Sequence, residues 1–436
     1  MSSFLPARVV EVELGEPLPP VSAVSASGRG YRRALSLVRL HGRPLGLVSL
    51  ELGTDGLAPA AYADAIRHTL AAEVAEHLAA DGLDPATEIS SAGVPRGDAT
   101  PACVTERNRL LAHLPFISVI VATRDRAESL ARCLDSLLAL DYPTFEVVVV
   151  DNAPASDATQ RLIAGRAPRI RYIREDVPGL AAAHNAGLRA ARGTIAAFTD
   201  DDVTVDRCWL GEFAASFARH EEAACVTGLI VPAELDAVTQ VWMEAVGRFG
   251  KGFSRRVFTL EDDTSSPLHP YGAGSFGSGA NMAFRTSFLR EIGGFDPAMG
   301  AGASGRGGDD LAAFFRVIAA GKALVYEPAA VVWHRYEEGD LASLRRRAFG
   351  YGAGLTAYLT SVVVEEPVRL VDLVRLAPAG LRWSAGRSSP RRAATELGYP
   401  SELLWVERRG MAYGPVGYLW GRARRRKMYP ARAAVR

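Results

Sequence analysis

The sequence predicts an α/β protein. Its body is a mostly parallel sheet with helices on both faces, joined to a small N-terminal α+β module and a helical C-terminal extension. Three observations carry this reading. From residue 117 onward, short apolar runs alternate with segments of helical period, the pattern of strand–helix–strand units. Acidic residues stand at the carboxyl ends of several of those runs. Finally, residues 341–436 hold 18 Arg and Lys against 6 Asp and Glu, whereas the whole chain carries a net charge of +1, so a basic tail follows an acidic body.

The elements follow in order. "LSLVRLHGRPLGLVSLEL" (35–52) predicts two strands around a turn at 41–44. Tyr62, Ile66, Leu70, Val74 and Leu78 recur every fourth residue and mark one stripe of a helix. A polar, Pro-containing stretch over 84–101 reads as a linker. "ISVIVA" (117–122) is a buried strand, and Leu130, Leu134, Leu137 and Leu138 mark the helix after it, with Asp125 and Glu128 as its capping box. "FEVVVVDN" and "IRYIRE" are the next strands, "GLAAAHNAGLRAAR" a helix, and "GTIAAFTD" a fourth strand. "AMGAGASGRGGDD" has small residues without apolar anchors, which predicts a mobile lid. Asp309 and Asp310 open a helix, and "ALVYEPAAVVWHRY" is a short strand ending at His334. The partition is therefore 1–112 for the module, of unassigned role, 113–340 for the body, and 341–436 for the extension.

The chain has 436 residues, 48% of them hydrophobic and 23% charged, enough for two or three domains without disulfide support. Cys103, Cys133, Cys208 and Cys225 show no C-x-x-C spacing, so a reduced, cytoplasmic setting is expected. No run reaches the ~18 apolar residues of a membrane span, and no signal peptide is evident at the N-terminus. "GAGSFG" (272–277) matches a dinucleotide fingerprint by letter, but it follows no strand and opens no helix, so a dehydrogenase is excluded. The segment "VATRDRAES" lacks the Gly-rich, basic triphosphate loop of a nucleotidyltransferase. No recognition motif accompanies the basic charge, which argues against nucleic acid as partner.

In parallel sheets ligands bind beyond the carboxyl ends of strands. Asp125, Asp151 and Asp200–Asp202 follow three different strands and should meet at one rim. Three adjacent carboxylates repel one another, and Mg²⁺ or Mn²⁺ would relieve that repulsion while neutralising a substrate's phosphates. An exposed acidic turn is the plainer alternative. Asp200 and Asp202 are spaced to face the same side of an extended segment. His334 is a further metal ligand by the same logic, against a purely structural role. Of Asp309 and Asp310, one can cap its helix while the other deprotonates an acceptor hydroxyl.

Together, "ISVIVATRDRAESLARCLDSLLALDYPTFEVVVVDN", "PGLAAAHNAGLRAARGTIAAFTDDDV", "GSGANMAFR…GGFD", "GGDDLAAFFRVIAAG" and "VVWHRY" resemble the family 2 glycosyltransferases, which have the GT-A fold. The resemblance spans about 116–336. It implies inverting, metal-dependent transfer of a hexose from a nucleoside diphosphate sugar, of the UDP or dTDP type, to an acceptor hydroxyl. Asp310 would be the base, with Asp309 beside it where the family more often has Glu. Thr123, Asp125, Arg126, Asp151, Asn185, Asp200, Asp201, Gly279 and Asn281 would bind the donor, with Asp125 and Asp151 on the base and ribose. Gly279, Ala280 and Asn281 would line the acceptor side of the donor pocket. Asp202 and His334 would hold the metal. Two departures stand out: "TRDR" follows the first strand where many relatives place Asn before the Arg, and His184 stands where Arg is commoner.

The alternative is a catalytically silent nucleotide-sugar-binding or scaffold protein; the full set of acids argues against it. The acceptor class is open among glycans, lipid-linked molecules and small molecules. The extension, with arginines at 345–347 and "GRARRRK" at 421–427, reads as helices packed on the body. Peripheral contact with the inner, anionic face of a membrane is the competing reading.

Overall fold

The computed structural model describes residues 6–95, 99–166, 168–247, 249–261, 266–336, 340–386 and 389–428, with backbone alone at 381, 383–385 and 425–428. The side chains of Arg425, Arg426 and Lys427 in the basic tail therefore lie outside the described residues, as do parts of the linker and of the chain's first residues.

The N-terminal module is a three-stranded sheet. β1 (Ala7–Glu13) runs parallel to β2 (Arg33–Leu40), and β2 pairs antiparallel with β3 (Arg43–Glu51) across the turn at His41 and Gly42. β1 escaped the sequence reading because its side chains are only half-buried and show little alternation. α1 (Pro59–Ala80) lays Tyr62, Ile66, Leu70, Val74 and Leu78 against this sheet, the stripe the spacing predicts. α2 (Ala102–Leu110), unread in the sequence, buries none of its side chains. The module's other face packs on the body through Leu37, which meets Leu229, Val231 and Val331. Arg39 adds an ion pair to Asp206 at 2.9 Å.

The body begins at β4 (Ile117–Thr123). It continues through α3 (Ala127–Leu138), β5 (Phe145–Asn152), α4 (Ala158–Ile163), β6 (Ile170–Glu175), α5 (Leu180–Ala190), β7 (Ile195–Asp200), β8 (Val203–Val205), α6 (Trp209–Arg219) and β9 (Ala223–Pro232). α7 (Val238–Gly247), β10 (Arg256–Phe258), β11 (Asn281–Arg285), α8 (Thr286–Glu291), α9 (Asp309–Ala319) and β12 (Ala323–His334) complete it. The nine-stranded sheet has the order β10-β12-β9-β11-β7-β4-β5-β6, with β8 on β12. β7, β4, β5 and β6 are parallel neighbours, and the antiparallel β11 joins them to the parallel pair β9 and β12. Strand alternation sorts the side chains. Ile117, Val119 and Val121 turn toward Leu130, Leu134 and Leu137 of α3 and Phe213 of α6. Ile120, Val148 and Val150 turn toward the alanines of α5 and the apolar face of α9. Both faces of the sheet are thus covered, which is why its strands read as continuous apolar runs.

Two local expectations are corrected. Arg126, not Asp125, occupies the cap position of α3, and no side chain caps it. Asp125 has φ 54° and spends its carboxylate on the next loop, where it accepts the Ala155 N–H at 2.8 Å. The Gly-rich loop before α9 is anchored, contrary to the lid reading. Ala298 and Met299 are buried, Gly305 N–H bonds the Ala298 carbonyl, and the Leu180 N–H that starts α5 bonds Ala301.

The extension is helical: α10 (Leu341–Glu365), α11 (Arg369–Ala385), α12 (Pro390–Glu396) and α13 (Ser401–Met428). α10 and α13 pack at backbone contact. A Cβ on Gly410 would sit 2.2 Å from the Phe349 carbonyl oxygen, so only glycine permits the approach. α10 also rests on α9 and brings Arg346 and Arg347 to the body's main cleft. Among the described residues, no helix is long and apolar enough to cross a membrane. α13 nevertheless exposes Trp405 (63%), Val416, Leu419 and Trp420 (57%), and α11 exposes Leu370, Val371 and Val374.

Candidate active site

Asp151 is the penultimate residue of β5 and Asp200 ends β7, on either side of β4, where Thr123 pairs with Asp151 and Ala122 with Asp200. The three acidic positions thus share one edge of the sheet. They are not equivalent. Asp125 is exposed, tied to Ala155. Asp151 is fully buried, accepts the Tyr172 hydroxyl at 3.0 Å and leaves its Oδ1 without a hydrogen bond. Burial pushes its pKa up against the opposing Tyr172 bond.

The D-D-D run divides its work because the strand stops at Asp200 and turns. The spacing rule for an extended segment therefore does not apply at Asp202. Asp201 points back into the protein, accepting Thr123 Oγ1 at 2.7 Å and Arg126 Nη1 at 2.7 Å. Burial raises its pKa to about 7 although Arg126 opposes that. Thr123 and Asp201 therefore brace Arg126, whose Nη2 donates to Asp202 at 3.0 Å. Antiparallel pairing of His334 with Val203 then carries the imidazole to the turn, with Nε2 3.2 Å from Asp202 Oδ1. Burial acts to raise the Asp202 pKa, but His334 and Arg126 outweigh it and hold this carboxyl well below the usual range. The same pairing raises His334 against its own burial. Burial and the charge of Asp202 raise Asp200.

Donor atoms of Asp200, Asp202 and His334 all lie within 4.8 Å of one another. Asp202 Oδ1 is buried and makes no hydrogen bond. A carboxylate oxygen in that state, facing a second carboxylate and an imidazole, fits a divalent cation of the Mg²⁺ or Mn²⁺ kind.

Across the cleft, Asp309 and Asp310 form the first turn of α9. Asp310 accepts the Gly279 N–H at 2.9 Å through Oδ2 and the Leu311 N–H at 2.8 Å through Oδ1. Burial and the adjacent Asp309 raise its pKa to about 6, despite those two N–H groups. Asp309 points the other way, with Oδ2 3.7 Å from His184 Nδ1. His184 is 1% exposed, packed between Phe198 and Phe295, and neither ring nitrogen makes a hydrogen bond.

Asp200, His184, Asp309, Asp310 and Gly279 line one cavity of about 1320 Å³. Its far wall comes from the extension: Arg346, Arg347 and Tyr351 of α10, with Leu373 and Leu376 of α11. The arginine triplet is visible in the sequence, but only the fold turns two of its members toward the cavity rather than outward. Tyr172, which holds Asp151, left no signal beyond its place in an apolar strand.

Two expected donor ligands have partners within the protein. Asn281 is fully buried and saturated: its amide donates to Leu229 and Ala330 carbonyls, and its oxygen accepts Trp209 Nε1 at 2.9 Å. Asn185 donates to the Phe295 carbonyl at 2.7 Å and accepts the Phe295 N–H at 2.9 Å. Both asparagines clamp strands and loops through these contacts.

The chain is similar to several known proteins. The model of the family described as glycosyl transferase family 2 matches residues 118–293. The chain is 28% identical over 268 residues to a pre-mycofactocin glycosyltransferase of Mycobacterium tuberculosis, covering 61% of this chain and 52% of that protein. It is 43% identical over 94 residues to a succinoglycan biosynthesis protein of Rhizobium meliloti, covering 21% of this chain and 27% of that one. The chain thus spans about half the length, or less, of these curated relatives. Among solved structures it is similar to a mannosyltransferase of Pyrobaculum calidifontis in complex with GDP-Man and Mn²⁺. That match has 21% identity and a TM-score of 0.45 over 72% of this chain and 93% of the other.

Proposed function

We propose, from the match of residues 118–293 to the glycosyl transferase family 2 model, that the protein moves a sugar, with inversion, from a nucleoside diphosphate sugar to an acceptor hydroxyl. The observation that carries this reading is the single cavity onto which Asp200 and Asp310 both open. On one side Asp200 lines the cavity, with Asp202 and His334 clustered behind it as candidate cation ligands; the other side offers a carboxylate poised as a base. Transfer would occur within 113–340, flanked by the module at 1–112 and the extension at 341–436.

Asp310 takes the acceptor proton as the oxygen attacks the anomeric carbon. The bond from that carbon to the diphosphate oxygen breaks, and the diphosphate leaves with the electron pair. The Gly279 and Leu311 N–H groups fix the orientation of the Asp310 carboxylate, and an elevated pKa makes it a better proton acceptor than an ordinary Asp. A bound divalent cation supplies electrostatic stabilisation of the leaving diphosphate. Arg346 and Arg347 reach the same cavity and add positive potential there. On this reading Asp125 and Asp151, at the adjacent strand ends, would serve the base and ribose of a UDP- or dTDP-type donor.

The test is a panel of nucleotide sugars with Mn²⁺, read both by thermal shift and by release of the nucleoside diphosphate. The expected result is one donor that stabilises the fold and is turned over. A donor that stabilises the wild type without any turnover, with or without acceptors, marks a silent binder instead.

A second element concerns location. Trp405, Val416, Leu419 and Trp420 stand exposed on α13 beside Arg408, Arg409 and Arg424. Indole rings beside arginines on an otherwise packed helix suit the interface of an anionic bilayer. This supports peripheral membrane contact and a lipid-linked acceptor.

A further inference from the structure

The N-terminal module holds a cluster that glycosyl transfer does not use. His41, His77, Asp81 and Cys103 bring four ligand atoms within 4.8 Å of one another, and none of them lines the catalytic cavity. We propose that these four residues bind a structural zinc ion, in a closed site that fastens α2 to the hairpin turn and to α1.

The geometry is close. His41 Nδ1 lies 2.7 Å from Asp81 Oδ2 and 3.1 Å from His77 Nε2, and His77 Nε2 lies 3.1 Å from the same carboxylate oxygen. Cys103 Sγ is 3.1 Å from that oxygen. Tetrahedral zinc with ligand bonds of about 2.0–2.3 Å has ligand-to-ligand edges only slightly longer, roughly 3.3–3.7 Å. Two imidazoles, a carboxylate and a thiol are the donor types zinc favours.

Without a cation the two imidazoles and the carboxylate conflict. If both facing ring nitrogens carry protons, two N–H dipoles oppose each other at 3.1 Å. If one carries a lone pair, that lone pair faces a carboxylate. With Asp81 ionised, each proton assignment on the two rings leaves one edge of the triangle unfavourable, and a divalent cation at its centre satisfies all three.

The chain around the cluster is held for the purpose. His41 sits at φ 56°, in the left-handed region that a non-glycine residue seldom adopts. Glu13 grips that turn by accepting the N–H groups of His41 and Gly42, both at 2.9 Å. Asp81 ends α1, and its second oxygen accepts the Cys103 N–H at 2.8 Å. A ligand of this kind must orient through its other contacts. α2 itself buries no side chain. It does make the ion pairs Arg107–Glu212 and Arg219–Glu106 with the body, so fastening α2 fastens the module to the catalytic unit.

The test uses the full chain. Metal analysis of protein purified without chelator is expected to find one zinc per chain, and Cys103→Ser and His77→Gln are each expected to lower that content at least several-fold. Cobalt exchanged for zinc should show thiolate-to-metal charge-transfer absorption, lost in Cys103→Ser. The sulfur-free Asp200/Asp202/His334 set cannot produce that band. Circular dichroism of both variants establishes that they fold. Zinc content unchanged in both folded variants, or a thiolate band that survives Cys103→Ser, overturns the proposal. So does cobalt-loaded wild-type protein with no such band.

Discussion

The backbone N–H of Gly279 donates to Oδ2 of Asp310 over 2.9 Å. A Cβ at position 279 would lie 3.3 Å from the Asp310 Cβ and 3.4 Å from that oxygen. The strand edge before β11 therefore sets where the proposed base sits, and only a residue without a side chain leaves it there unstrained. Gly279→Ala should shift the carboxylate by a few tenths of an ångström. We expect kcat to fall about ten-fold with donor KM little changed, since misplacement of 1 Å costs on the order of 10². Steady-state kinetics checks this; a variant as fast as wild type would remove Gly279 from the positioning role.

Asp310→Asn keeps the shape of the residue and removes the proton acceptor. Turnover should drop by ~10²–10⁴, while donor-induced thermal stabilisation persists. Loss of donor binding in this variant would assign Asp310 to the donor rather than to the acceptor proton.

The pH profile follows from the same residue. Its pKa is raised to about 6 by burial and by Asp309. The base works only when ionised, so the rate should fall as pH drops through about 6, with the fall displaced to higher pH than for an ordinary Asp. Asp309→Asn removes the neighbouring charge and should move this limb to lower pH. A limb that does not move separates Asp309 from the titration.

Asp202→Asn leaves a neutral amide opposite His334 and Arg126. We expect a higher Mn²⁺ concentration for half-maximal activity, by at least ten-fold, and loss of any Mn²⁺-dependent thermal shift. Unchanged Mn²⁺ dependence would place the cation elsewhere.

Asn281→Ala should act on the fold. It strands two carbonyls and the Trp209 N–H in the core, and each buried unpaired group costs about 1–3 kcal/mol. A loss of at least about 3 kcal/mol in unfolding free energy is expected, with kcat preserved in the folded fraction. A selective rise in donor KM without loss of stability would restore the donor-binding role.

Membrane contact is tested by flotation with anionic and neutral liposomes. Wild type should float with anionic vesicles and less so as salt rises. Trp405→Ser combined with Trp420→Ser should stay in the soluble fraction. Equal recovery of wild type with neutral vesicles would sink the electrostatic component, and no flotation at all would leave the extension purely a packing element.

Much was legible in the sequence where burial imposes a short period. The apolar runs at 117–122 and 145–150, the fourfold spacing of α1 and the leucines of α3 all name elements because each has a face that must leave water. Acidic residues at strand ends were legible for the same reason: a parallel sheet delivers its strand ends to one edge. The tertiary structure alone decided which polar atoms remain available there. Asn185 and Asn281 look like ligands in a line of letters, yet long-range partners at Phe295, Leu229, Ala330 and Trp209 engage them. The D-D-D run looks uniform until the turn after Asp200 sends Asp201 inward to Thr123 and Asp202 toward His334. The Gly-rich loop looks unanchored because its anchors belong to α5 and to its own buried Met299. His41, His77, Asp81 and Cys103 spread over 63 residues of chain and share no local pattern. Periodicity records what a segment buries on its own; hydrogen-bond saturation and the meeting of distant ligands depend on partners that only folding brings within 3 Å or so.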